Sequence, residues 1–465
     1  MESILRALQI AQDYDCSYCD VRTETVRKQG VLVENGLQEH ISKKQEEGIG
    51  IRILYDGAWG FYSTSYLQEF EDGLVDTIKA AKLASQKKKK KTKLANNVAA
   101  EKTVRRTMKK EPTVESITEI ALECDRMIRA NKRIMKSSVE ILQTFTSRYF
   151  ANSEGSRILQ EFSDLTADLT ATAHQYGITQ SISRTEGGIG GLETITDKID
   201  IFEVSDQIAK KAGQLLDAKT VDEDRSTVVM NPDFVALLTH EILGHPSEAD
   251  RVLGREMAWA GGAWWSGMLG CQIGSSALNV IDDPTIEDSL GWYEFDDEGV
   301  KAKRKQLVKE GVLSEHMHSR ETAYDFNVEP NASMRATSYR FMPLIRMSCT
   351  CIEGGTWSQE EMIKDVKHGY LISDMKIPSI DMRRHNWSIS CQYANRIEDG
   401  RITELLRDVI VTGTAQEFFR SIDACGKDFT VRPITNCGKG DPMQQMKMGN
   451  GGPSIRGIAT VKSTT

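Results

Sequence analysis

Two imidazoles and a carboxylate lie close together in Thr239-His240-Glu241-Ile242-Leu243-Gly244-His245-Pro246. These are the parts needed to hold zinc and to activate a water molecule. The common arrangement, H-E-x-x-H, places its histidines four apart on a helix; here they are five apart. Each residue of an α-helix turns about 100°, so a spacing of four returns a side chain to within about 40° of its start, and a spacing of five leaves it about 140° away. A π-turn, closed i→i+5, restores the shared face, and such turns tend to sit at functional sites. The spacing therefore predicts a helix deformed between Glu241 and His245. Gly244 lowers the cost of an irregular turn because it tolerates many backbone angles. Pro246 disfavours helical geometry at His245, so the helix is expected to end or loosen there.

The element that must carry these groups has a clear start. Asn231 is a good N-cap, Pro232 suits the first helical position and Asp233 complements the positive helix end. Phe234, Leu237 and Leu238 give the helix an apolar face to bury. The plain alternative is two ordinary histidines and a surface glutamate. Just beyond the motif, Glu248 and Asp250 are carboxylates that could complete a metal site. His316 and His318 read as a surface pair.

The chain has 465 residues, 39% hydrophobic and 27% charged, with a formal net charge of −8. That length exceeds one compact core, and the composition is that of a soluble protein. The start, Met1 to Arg6, lacks a basic flank followed by an apolar run, so no signal peptide is expected. No stretch approaches the ~20 apolar residues of a membrane span. Nine scattered cysteines fit reduced thiols in a cytoplasm. Cys16/Cys19 and Cys349/Cys351 lack a second pair at zinc-ribbon spacing and read as buried or incidental thiols.

Hydrophobic periodicity and turn signals divide the chain into four stretches. Residues 1–86 read as an α+β domain whose strands are joined at Glu34-Asn35-Gly36 and Tyr55-Asp56-Gly57. Residues 87–112 read as a basic, mobile linker: Lys87 to Lys110 holds 11 of the 59 Lys and Arg residues and one of the 67 Asp and Glu. Residues 113–224 form a middle α/β domain, its first helix opened by Pro112 with Ser116 as cap. The cluster Gly187-Gly188-Ile189-Gly190-Gly191 lacks the strand–GxGxxG–helix context of a dinucleotide site and reads as a flexible loop. Residues 225–465 form a large, mostly antiparallel β domain that carries the metal helix; Trp259 to Trp265 reads as a loop with anchored aromatics. The fold class is α+β. Apart from the linker the chain is strongly acidic, which argues against a nucleic-acid partner, since phosphate contacts need a basic surface.

Several short motifs recur in an order that carries information. They include Asp20-Val21-Arg22, Gly48-Ile49-Gly50-Ile51-Arg52, Asp56-Gly57-Ala58-Trp59-Gly60-Phe61, Asn152-Ser153-Glu154-Gly155, Asp296-Asp297-Glu298-Gly299, Asn331-Ala332-Ser333-Met334-Arg335 and Cys437-Gly438-Lys439-Gly440 followed by Gly451-Gly452-Pro453. In this order, around His240 to His245, the chain resembles the TldD/PmbA family of zinc-dependent peptidases nearly end to end. The resemblance implies the family's zinc-bearing branch, with HExxxH and a C-terminal cysteine as third ligand. Cys-Gly-Lys occurs twice, at Cys425 and Cys437; the loop ending in Gly-Gly-Pro matches Cys437. On this expectation zinc sits on His240, His245 and Cys437, and Glu241 is the general base of peptide hydrolysis. A site inside a mostly antiparallel β domain would let a peptide bind by adding a strand to an exposed edge, which favours extended, unfolded peptides. The resemblance also implies a dimer, either of this chain with itself or with a zinc-less relative. Two other classes stay open: an adaptor or regulatory subunit with a structural zinc closed by a fourth ligand, and a nucleic-acid-associated modulator acting through Lys87 to Lys110.

Overall fold

The computed structural model describes residues 2–256 and 262–463. Asn35-Gly36 and Asp56-Gly57 close two-residue turns with positive φ at every position (51°, 85°, 43° and 74°), the backbone that Asn-Gly and Asp-Gly adopt at least cost. They join β1 (Tyr18–Glu34), β2 (Leu37–Tyr55) and β3 (Ala58–Thr64) into a meander. β4 (Glu101–Arg105), β5 (Ile134–Asn152), β6 (Arg157–Gln175) and β7 (Ile178–Ile189) extend the same sheet, in the order β3-β2-β1-β5-β6-β4 with β7 beside β6. The stretches read as a first and a middle domain thus share one seven-stranded sheet. Alternation along β6 puts Leu165, Ala167 and Leu169 into the core under the helices Val114–Arg129 and Ile201–Leu215. Asp164 and Asp168 fall on the opposite face, towards the C-terminal region. Thr113, not Ser116, caps the first of those helices: its hydroxyl accepts from the Ser116 N–H at 3.1 Å, and Ser116 is the N3 residue of the capping box.

The basic stretch 87–112, expected as a mobile linker, is instead built into the molecule. β4 lies within it and pairs in parallel with β6. Lys90 pairs with Asp325, Lys91 with Asp56, Arg105 with Glu161 and Lys110 with Asp197. These carboxylates lie far off in sequence, so a local charge count reads the run as unpartnered. Nor is the 187–191 cluster a free loop: Gly187 and Gly188 lie within the last three residues of β7, and a Cβ at either would stand 2.1 or 2.2 Å from a backbone oxygen. The glycines permit close backbone approach.

The C-terminal region opens with β8 (Asp224–Met230), followed by β9 (Val280–Asp282), β10 (Lys305–Lys309), β11 (Val312–Leu313), β12 (Met334–Arg335), β13 (Leu344–Ile345) and β14 (Cys349–Ile352). After these come β15 (His368–Ile380), β16 (Asn386–Glu398), β17 (Arg401–Leu406), β18 (Val409–Thr414), β19 (Ala424–Cys425), β20 (Thr430–Lys439), β21 (Gln444–Gly452) and β22 (Ile455–Ser463). One sheet runs β11-β10-β9-β14-β21-β20 and another β15-β8-β22-β18-β16-β17. Pairing is antiparallel as expected except at β8–β15 and β14–β21. The helix Pro232–Thr239 packs against β15 of one sheet and β20 and β21 of the other, so the two sheets enclose it.

Several of the ordered motifs are spent on joining the N-terminal and C-terminal regions. Arg52 reaches Asp20 at 2.6 Å and Glu298 at 3.0 Å, all three buried, and lies over the Trp59 ring. Arg148 bridges Glu24 and Asp297, and Arg320 holds Glu154. Each charge has an opposite partner, the condition under which buried ions are tolerated. No described helix is long and apolar enough to cross a membrane.

Candidate metal centre

Asn231 caps the central helix as expected, its side chain accepting from the Phe234 N–H at 3.0 Å. The helix runs regularly to Thr239 and then widens into a π-turn over His240–Gly244, closed by the His245 N–H on the His240 carbonyl. His245 remains helical and begins a 3-10 turn that ends at Ser247, so the proline loosens the helix without stopping it at once. Side chains hold carbonyls along this irregular stretch. Trp264 Nε1 donates to the Ile242 oxygen, Ser247 Oγ to that of Leu243 and Trp265 Nε1 to that of Pro246, at 3.0, 2.8 and 2.6 Å. Of the expected aromatic loop, Trp259 to Gly261 lie outside the described residues.

Gly244 is needed for space, not for an unusual backbone angle: its φ of −69° suits any residue. A Cβ there would stand 2.0 Å from Met347 Sδ. Gly244→Ala should therefore overpack the turn and cost about 1–3 kcal/mol, read as a lowered thermal midpoint together with weaker zinc retention.

The π-turn brings both histidines to one side, with ring centroids 4.8 Å apart. The sequence left Glu248, Asp250 and Cys437 as candidates to join them. Cys437, on β20, is the one that does: one ligand atom from each of His240, His245 and Cys437 lies within 4.8 Å of the others, and all three residues are buried. Cys437 Sγ stands 3.6 Å from His245 Nε2, close to the ~3.5 Å separating a sulfur and a nitrogen bound to one tetrahedral zinc. Glu248 and Asp250 act behind this group. Glu248 accepts from His245 Nδ1 at 3.3 Å and from Arg251 and Lys439; Asp250 pairs with Lys439. Asn450 Oδ1 faces His240 Nδ1 at 3.0 Å, and its Nδ2 donates to the Thr350 carbonyl. Both rings thus have Nδ1 engaged and Nε2 free to ligate, the support usual behind metal-bound histidines. Cys425 is elsewhere, on β19, with its thiol on the Ala277 carbonyl.

The electrostatics fit a cation. Burial opposes a thiolate at Cys437, but His240, His245 and Arg346 outweigh it and hold the thiol well below its ordinary range. Burial likewise opposes charge on His240, and the Cys437 sulfur with Glu241 overrides it, raising the imidazole to about 9. Without a metal the site therefore keeps a proton on an imidazole beside a thiolate. A divalent ion satisfies the same thiolate while taking both imidazole lone pairs.

The group opens onto a cavity of about 900 Å³. Its walls are the π-turn, Pro433 to Gly438 of β20, Asp168 and Thr185 of the central sheet, and the hairpin between β15 and β16. At the tip of that hairpin Arg384, with φ of 63°, forms an ion pair with Glu241. Asp381 braces the tip by accepting from the backbone N–H groups of Arg383, His385 and Asn386. Burial works against the charged form of Glu241, yet His240, Arg384 and His245 keep its pKa below the usual carboxylate value. Arg384 and Asn450 escaped the sequence reading because they lie 143 and 210 positions from their partners.

One further expectation is corrected. His316 and His318 are not a surface pair: both are buried against Phe326, and burial pushes them down to about 4 and about 3, so they are neutral. Arg346 and Arg335 pair with backbone oxygens; Arg346 holds the carbonyls of Cys437 and Gln444 and so fixes the strand that carries the sulfur. The nine cysteines are all free.

Comparison with known proteins gives the family. Three family models match in succession: PmbA/TldA metallopeptidase domain 1 at residues 19–85, the central domain at 109–216 and the C-terminal domain at 223–458. The chain belongs to the TldD/PmbA family. A metalloprotease of Methanocaldococcus jannaschii is 30% identical over 99% of both chains. A protein named zinc metalloprotease TldD homolog, from Saccharolobus solfataricus, is 26% identical over 97% of this chain and 98% of its own. Among solved structures, TldE from Thermococcus kodakarensis superposes with a TM-score of 0.80 at 17% identity, covering 99% of this chain and 100% of its own. A putative modulator of a DNA gyrase from Thermotoga maritima gives 0.79 at 20%, covering 99% of each. These two likenesses establish the TldD/PmbA fold.

Proposed function

We propose that this TldD/PmbA chain is a zinc-dependent peptidase that hydrolyses small or unfolded peptides. The observation that carries the reading is the meeting of His240, His245 and Cys437 beside Glu241 on the wall of a cavity large enough for several peptide residues. The metal group found among the described residues offers three ligand atoms, which favours a catalytic site with an open position over a structural site closed by four. Zinc held there supplies Lewis acidity and lowers the pKa of water towards ~7. Glu241, ionised at neutral pH, takes the proton from the attacking water and passes it to the leaving amine. Arg384 must release Glu241, or share it, for that transfer to occur.

The substrate is held as an extended strand. β20 ends its sheet, and the ladder with β21 shifts between Ile434 and Cys437. Six consecutive residues of β20 line the cavity beside the sulfur, so main-chain groups along this edge can pair with a peptide backbone. The dimer, formed with a second copy or a zinc-less relative, and the cytoplasmic location are part of the same reading.

Chelation should abolish hydrolysis of an unstructured peptide library, and zinc should restore it; activity that survives complete removal of metal counts against the reading. Arg384→Gln carries a pH test. Removing a cation raises the pKa of the carboxylate it faced. Glu241 must be ionised to act as base, so the acid limb of the kcat/KM profile should move to higher pH in the variant. An unmoved limb separates Arg384 from the base.

A further inference from the structure

A second cavity, of about 520 Å³, adjoins the first at Thr435 of β20, which lines both. Its floor is the polar face of the long sheet; its far wall includes Trp292, Tyr293 and Phe295 of the C-terminal region. Six cations and five carboxylates line it, a formal surplus of one cation. Of the acids, Glu24 and Asp297 hold Arg148, Asp164 holds Lys447, and Glu46 lies 3.7 Å from Arg340; Asp296 accepts backbone N–H groups. Three lining cations have no carboxylate in ion-pair contact among the described residues. Arg335 is half-buried against the Tyr293 ring and donates to the carbonyls of Met347 and Lys447. Lys28 and Lys44 stand at the mouth, directly opposite each other in the β1–β2 ladder.

Facing like charges weaken a strand pair, and neither lysine has an ion-pair partner among the described residues. The geometry of β6 sets the reach. Asp168 lines the cavity of the metal centre and Asp164 lines this one. Four residues of strand separate them, roughly 13 Å at about 3.3 Å per residue, and Lys28 and Lys44 lie two and three strands across the sheet from Asp164, by way of Thr144, roughly 10 and 14 Å further at about 4.8 Å per strand; an extended peptide reaching them from Asp168 therefore spans about five or six residues.

We propose that this chamber is a subsite for an acidic side chain of the substrate, about five or six residues from the scissile bond, with Lys28 and Lys44 as the residues that select it. The proposal rests on the peptidase reading for the identity of the ligand, and its test reads binding instead of cleavage, so the two can fail separately. The probes are two fluorescein-labelled twelve-residue peptides of Ala, Ser and Val, identical except that one carries two Glu residues near one end and the other two Gln. Each is titrated by anisotropy, at low ionic strength, with zinc-loaded Glu241→Gln protein and with the same protein carrying Lys28→Gln and Lys44→Gln. Both lysines are exposed, so their loss leaves the core intact.

The Glu peptide should bind on the order of tenfold more tightly than the Gln peptide, a preference that raised salt weakens. The lysine variant should bind both equally, at the affinity of the Gln peptide. Equal binding of the two peptides by the parent protein, binding of neither, or a preference that survives loss of both lysines overturns the proposal. So does loss of the preference to low-millimolar inorganic phosphate at constant ionic strength, which would mark a phosphate site. An intact preference in a protein that cleaves nothing would sink the peptidase reading and leave the chamber an acidic-peptide site.

Discussion

Glu241→Gln retains its zinc and loses hydrolysis by roughly a hundred- to ten-thousand-fold, the range for removing a positioned general base. The amide keeps the size of the carboxylate but takes up no proton at neutral pH. Glu241 lies beside the metal group without belonging to it, so zinc content should be unchanged. The substitution also removes the charge that Arg384 pairs with, and Arg384→Gln in the same background shows whether the loss belongs to the base or to the hairpin tip. If it is the base, the double variant is no slower than Glu241→Gln alone. Zinc analysis beside single-turnover cleavage of an unstructured peptide reads both quantities. A Glu241→Gln protein that cleaves at the parent rate removes the assigned base.

Cys437→Ser loses the metal. A serine hydroxyl is not ionised near neutral pH and cannot replace a thiolate that His240, His245 and Arg346 hold charged. Two imidazoles on one turn then remain, too few for a tight zinc site. Zinc affinity should fall by at least a hundredfold, and hydrolysis with it at stoichiometric zinc. Cys425→Ser, with its thiol on a distant carbonyl, should change neither. Competition with a chromophoric chelator measures the affinities. Full zinc retention by Cys437→Ser, or its loss in Cys425→Ser, contradicts the ligand assignment.

The local half of this architecture is legible in the sequence. A spacing of five between His240 and His245 calls for a π-turn because only an i→i+5 closure aligns them, and that turn is present. Asn231-Pro232, Asn35-Gly36 and Asp56-Gly57 act through backbone preferences of neighbouring residues, so their cap and hairpins form where expected. What escapes depends on tertiary contact. Asn450 and Arg384 have no local mark of their role. Gly244 reads as a concession to irregular backbone angles because no local signal places Met347 against it. The lysine run looked mobile because its carboxylates, Asp325 among them, are distant in the chain. His316 and His318 looked exposed because polar residues usually are, and their burial is set by packing against Phe326. The cysteine nearest the metal group, one of two Cys-Gly-Lys sequences, was separated by family resemblance, since local chemistry is the same at both.

Zinc K-edge X-ray absorption on the zinc-loaded protein tests most directly whether one deformed helix and one distant strand share a metal. The account predicts one sulfur near about 2.3 Å and two imidazole nitrogens near about 2.0 Å, with the sulfur scattering gone from whatever zinc Cys437→Ser retains at excess metal. A first shell without sulfur in the parent protein, or with four protein ligands, would contradict it.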